Sequence, residues 1–260
     1  MPGGMPTTRK IEHSAIITAL LSDLDHGRDE PVGEIVTGGH LAAVRAGRTG
    51  LASRIRGHGR PGPGNVLPGL PDEYSRSALA LAESLADPPE DLPQIRTLAV
   101  AAINALLPPP EGAPDVKGQD LLLERARGGN VAVVGHFPFV ERLRGEFAGF
   151  TVLELDPREG DLPASRADEV LPRADAVAVT STTIINGTLG SILSLVRPEA
   201  FVLMLGPSTP FAPSLFTFGV DALSGSVVVD PAAALAGIRA DKPYRKLDGV
   251  RPITIRRSPR

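Results

Sequence analysis

Four short apolar runs in the second half of the chain, residues 131–134, 151–155, 176–180 and 201–205, are each followed by a stretch long enough for a helix. No other feature of the sequence restricts the fold as strongly. A run such as AVAVT, rich in Val and Ala with no polar alternation, suits a strand covered on both faces. Parallel strands in turn need a crossover segment between them. A further strand is expected at 226–229, and helices at 138–147, 164–171, 186–196 and 231–240.

The first half reads differently. A 3.6-residue rhythm of apolar side chains predicts a helix over 12–24. The stretch EIVTGGHLAAVRAGRTGLASRI reads as strands around a turn at 45–50, and helices are expected at 75–85 and 95–107. Between the halves lies LLPPPEGAPDVKGQD, whose proline run can neither continue a helix nor sit inside a sheet. The chain therefore divides into a small α+β domain (1–107), a Pro/Gly-rich linker (108–120) and a second domain (121–260). The fold class is α/β: a Rossmann-like, mostly parallel sheet with a smaller N-terminal α+β domain. GHGRPGPGNVLPGLP, residues 57–71, reads as an irregular loop.

Several function classes are disfavoured at once. A net charge of −3 gives no general attraction to nucleic acid or anionic membrane, and aromatic content of 4% with no Trp offers few stacking platforms. There is no cysteine, which removes thiolate metal sites, disulfides and cysteine nucleophiles. The apolar patch at 15–21 is too short to span a bilayer and lacks a cleavage pattern, so a cytoplasmic protein is expected.

Ligands of an open parallel sheet bind beyond the carboxyl ends of its strands, where strand order reverses. The segments after the four runs are GHFPF, ELDPREGD, TSTTIINGT and GPSTPFAP. They bring His136, Asp156, Thr180, Thr182, Thr183, Asn186, Thr188, Gly206, Ser208 and Thr209 to one edge, with Glu154 and Asp161 as further carboxylates. One N-cap would satisfy the helix after TSTTIINGT, so the surplus hydroxyls read as ligand contacts, with the helix start available to an anion. His136, the lone histidine of this half, is the candidate general acid or base, or a metal ligand. Histidines 13, 26, 40 and 58 read as surface or structural groups. The NAD fingerprint Gly-x-Gly-x-x-Gly is missing, because Gly135 is followed by His, Phe, Pro and Phe.

VAVVGHFPFV, LELDPREGDLP, LPRADAVAVTSTTIINGTL and LGPSTPFAPSLFTFGVDALSGSVVVD together resemble the family described as "putative heavy-metal chelation". GGHLAAVRAGRTGLASRI and LAESLADPPEDLPQIRTLAVAAINALL are similar to its partner domain, which resembles the N-terminal domain of enolase. The resemblance implies two domains meeting at a cleft, a homodimer, and a role connected to heavy metals, through His136, Asp156, Thr180, Thr182, Thr183, Asn186, Thr188, Ser208 and Thr209. Soft metals prefer sulfur ligands, and this chain has no Cys and only three Met. The metal would then meet nitrogen and oxygen donors, or arrive already held by a small chelator. Four readings stay open: a protein binding a small anionic or metal-chelating metabolite in the cleft between the two domains, an enzyme making or modifying such a metabolite, a direct metal binder through nitrogen and oxygen ligands, and a non-catalytic interaction module.

Overall fold

The computed structural model describes residues 10–55, 69–113 and 116–258. In the first half α1 (His13–Ser22) precedes three strands, β1 (Glu34–Thr37), β2 (Leu41–Ala46) and β3 (Arg48–Ser53). Helices α2 (Asp72–Arg76), α3 (Ala78–Glu83) and α4 (Ile95–Leu106) follow. The strands form one antiparallel sheet in the order β1-β2-β3. The turn expected at 45–50 is tighter than the sequence suggests. Ala46 pairs with Arg48, and Gly47 alone turns the chain at φ +67°. Ser77 divides the helix expected at 75–85: its backbone is extended and its side chain caps α3 by accepting from Ala80 N–H.

The second half opens with α5 (Gly118–Ala126), which starts at the end of the segment read as linker, then β4 (Asn130–Val134) and α6 (Val140–Leu143). β5 (Gly149–Glu154), β6 (Leu162–Pro163) and α7 (Ala167–Val170) come next, then β7 (Ala176–Thr180), α8 (Thr182–Ile185) and α9 (Leu189–Leu195). The chain ends with β8 (Phe201–Leu205), α10 (Ser214–Thr217), β9 (Ala222–Val228), α11 (Pro231–Arg239) and β10 (Val250–Arg256). Seven strands lie in the order β10-β9-β8-β7-β4-β5-β6, parallel except for β10 against β9. The order runs outward in both directions from the β4–β7 pair, so the topological switch point falls between these two strands.

Each central strand feeds two cores with a period of two. Ala132, Val134, Val177 and Val179 face one cluster; Val131, Val133, Ala176 and Ala178 face the other, with α5 and α6. The first cluster also takes in Ile16, Ile17 and Leu20 of α1 and most of α4, so the two halves share buried apolar surface. The three-stranded sheet is held on its other face by Leu235 and Ile238 of α11. Burying each such Val, Leu or Ile contributes on the order of 1.5–3 kcal/mol. β3 and α4 approach so closely that a Cβ on Gly50 would lie 2.0 Å from the Ala101 carbonyl oxygen. Among the described residues, no helix is long and apolar enough to cross a membrane.

Candidate functional site

The register of three strands builds the site. Val134 of β4 pairs with Leu153 of β5, and Leu153 pairs with Leu162 of β6. This row brings the start of β6 beside the exits of β4 and β5, within reach of the residue after Gly135. Gly135 itself has φ +100°, and a Cβ there would meet Thr180 Cβ and Cγ2 at 3.0 Å. Only glycine combines that backbone conformation with so close an approach to β7.

His136 emerges here and is fixed from two directions. Its backbone N–H donates to Glu154 Oε1 at 2.8 Å, while Oε2 of the same carboxylate accepts from Leu155 N–H at 2.9 Å. Glu154, at a place where a dinucleotide fold would offer an acid to a ribose, has both oxygens committed to its own loops. The imidazole Nδ1 lies 2.9 Å from Asp161 Oδ2, which also accepts from Arg158 N–H at 3.2 Å. The Asp161 side chain is fully buried and that of His136 is 14% exposed. A buried carboxylate at Nδ1 favours the tautomer with its proton on that nitrogen, leaving Nε2 as the free electron pair. The second oxygen of Asp161 is buried without a hydrogen-bond partner.

A cavity of about 320 Å³ opens at the switch point. His136 lines it together with Thr180, Thr182, Thr183, Asn186 and Thr188, so six of the ten residues singled out from the sequence meet in one place. All of its lining residues lie between Val134 and Leu195, so the second half alone forms it. Thr180 Oγ1 and Thr182 Oγ1 are 3.0 Å apart, and Thr183 Oγ1 donates to the Thr180 carbonyl at 2.7 Å. Asn186 Oδ1 accepts from both the N–H and the hydroxyl of Thr188, at 3.1 and 2.7 Å, which leaves its amide NH2 for a guest. That local turn delays the helix expected at 186–196, which runs from 189 to 195 as α9. A separate turn of helix, α8 of 4 residues, precedes it, and both it and the 7-residue α9 are too short to make the anion site expected at a helix start.

The other four candidates lie elsewhere. Asp156 is exposed and does not line the cavity. Gly206 lines a second cavity on the other side of the Gly135–Phe139 turn. Ser208 is fully buried and accepts the Ser53 N–H of β3 at 2.7 Å. Thr209 is 2% exposed, its hydroxyl unpartnered. Of the remaining histidines, His26 lies 3.4 Å from Glu83, His40 is exposed, and His58 falls outside the described residues. Among the described residues no group of three or more His, Cys, Asp or Glu could hold a metal ion. A bare metal held by protein ligands alone does not fit this donor set.

A Rossmann-like sheet with its cavity at the switch point defines the class of protein. The family model DUF364, "Putative heavy-metal chelation", matches residues 117–255, and the chain belongs to this family. It is 30% identical over 194 residues to an uncharacterized protein of Methanocaldococcus jannaschii, covering 71% of this chain and 70% of that one. A crystal structure of a DUF364 protein of unknown function from Desulfitobacterium hafniense DCB-2 aligns with a TM-score of 0.80 at 26% identity, covering 94% of this chain and 98% of that one. A second, from Pyrococcus horikoshii, shares the fold with a TM-score of 0.76 at 19% identity, over 94% and 99% of the two chains.

Proposed function

We propose that the switch-point cavity binds a small, oxygen-rich metal chelate, with His136 Nε2 adding one protein ligand to a metal the chelator already holds. The observation that carries this reading is the His136–Asp161 pair. A metal-binding imidazole commonly donates its second N–H to a carboxylate, which fixes the ring and raises its basicity. The cavity supplies one imidazole and a row of neutral hydroxyl and amide groups, enough to seat a chelate and too few to strip it of its metal. No Lys or Arg lines it and Glu154 does, so a chelate whose charge is offset by its metal suits it better than a free anion. This agrees with the family's description and with a chain lacking cysteine.

Citrate, as a hydroxycarboxylate chelator, provides the test. Thermal unfolding is followed with Ni²⁺ or Zn²⁺ alone, citrate alone, and each metal–citrate complex. The complex is expected to raise Tm beyond either component. His136→Ala should abolish that increment and Asp161→Asn should weaken binding on the order of 10- to 100-fold. Equal stabilisation of the His136→Ala protein would refute the assignment. The same pair could serve general acid–base catalysis; chemical turnover of the chelator by wild type and not by His136→Ala would select that reading.

A further inference from the structure

The turn after β4 separates the switch-point cavity from a second one of about 600 Å³, and Phe137 lines both. The second cavity lies over the exit of β8 and the middle of β9, and its lining is of opposite electrostatic character. Lys117 before α5, Arg142 of α6 and Arg245 in the loop after α11 converge on it, and none of its lining residues is Asp or Glu. The three cations are exposed, and none is paired with a carboxylate among the described residues. In a chain of net charge −3, where many other basic side chains are paired, three unpaired ones around one cavity form a local excess. Tyr244 also lines the cavity; its hydroxyl lies 2.6 Å from Ser226 Oγ, and burial pushes its phenol pKa up, so it brings no negative charge. The floor is apolar, with Phe139, Leu205 and Leu247.

We infer that this second cavity is an anion-binding site for a small molecule carrying a phosphate or carboxylate cluster on an apolar body. Its volume falls within the roughly 300–1,000 Å³ of small-molecule sites. Two guanidinium groups suit the bidentate recognition of either oxyanion, and an ammonium adds a point charge. The site takes an anion the switch-point cavity would repel, and it does not depend on the chelate reading of that cavity.

Isothermal titration with pyrophosphate and with tricarballylate tests it on the full chain. At least one of the two should bind the wild type with one site per chain, and more weakly as salt rises. Arg142→Gln/Arg245→Gln should lose at least tenfold in affinity, with Tm and far-UV circular dichroism confirming that the protein folds. His136→Ala should leave the affinity unchanged, which separates this site from the first. Tighter binding of pyrophosphate would assign the natural ligand to phosphates, and of tricarballylate to carboxylates. No binding of either anion by the wild type, or wild-type affinity in the folded double variant, would overturn the inference.

Discussion

TSTTIINGT and GPSTP leave adjacent strands, β7 and β8, both carrying Ser and Thr hydroxyls, and meet opposite fates. The first opens into the switch-point cavity, where Thr180, Thr182, Thr188 and Asn186 remain partly accessible. The second is closed over. Ser208 is spent on the Ser53 amide of β3, and Thr209 is sealed beside Gly225 of β9. The strands are equally polar at their ends; what differs is the cover above them. β7 borders β4, where the connections on either side run in opposite directions and leave a crevice. β8 has the three-stranded sheet of the first half packed against its exit. A hydroxyl-rich loop is thus a cavity wall or a brace between layers according to its neighbours.

The largest effect that could break this contrast is on stability. Ser208→Ala leaves the Ser53 amide without its acceptor and is expected to cost about 1–3 kcal/mol. In a chain of this size that is a fall in Tm of roughly 2–4 °C per kcal/mol. Thr182→Ala, at the accessible exit, should stay within about 0.5 kcal/mol of wild type. Denaturant unfolding of the two variants checks both values, and a reversed order would contradict the contrast.

A smaller effect concerns pH. His13 packs beneath the β7 exit, where a Cβ on Gly190 of α9 would meet its backbone. Burial pushes the His13 imidazole below its ordinary pKa; the Ile184 carbonyl partly opposes this, and Arg96 adds to it. The folded protein therefore keeps His13 neutral at a pH where the unfolded chain has taken up a proton. The unfolded state binds more protons between the folded value and the ordinary one near 6.5, so stability rises with pH in that window. The contribution is complete above the ordinary value and declines on acidification below it. His13→Gln should flatten the dependence of Tm on pH between about 7 and 5; an unchanged slope would mean that another group is responsible.

The sequence announced β4, β5, β7 and β8 because a strand buried on both faces must be continuously apolar, and such runs stand out. β6 is two residues held only by register with β5, and β10 alternates around Pro252, so neither has a comparable signal. The late start of the helix expected at 186–196 was hidden because Asn186 looks the same whether it caps a helix or closes a turn. In the site, His136 and the Thr180–Thr188 group were legible from their place after strands. Asp161 was not separable from Glu154, Asp156 and Glu159 in one acidic loop. Which of these is buried depends on β6 pairing with β5, a contact no local pattern encodes. Lys117, Arg142 and Arg245 carry no shared motif, since only the folded sheet edge brings them together.

The contrast between the two exits is tested most directly by titrating Ni²⁺–citrate into wild type, Thr182→Ala/Asn186→Ala and Ser208→Ala. The cavity variant is predicted to bind at least tenfold more weakly with little change in Tm, while Ser208→Ala keeps the wild-type affinity and loses stability. Weakened binding in Ser208→Ala, with wild-type affinity in Thr182→Ala/Asn186→Ala, would contradict the assignment of the switch-point cavity as the binding site.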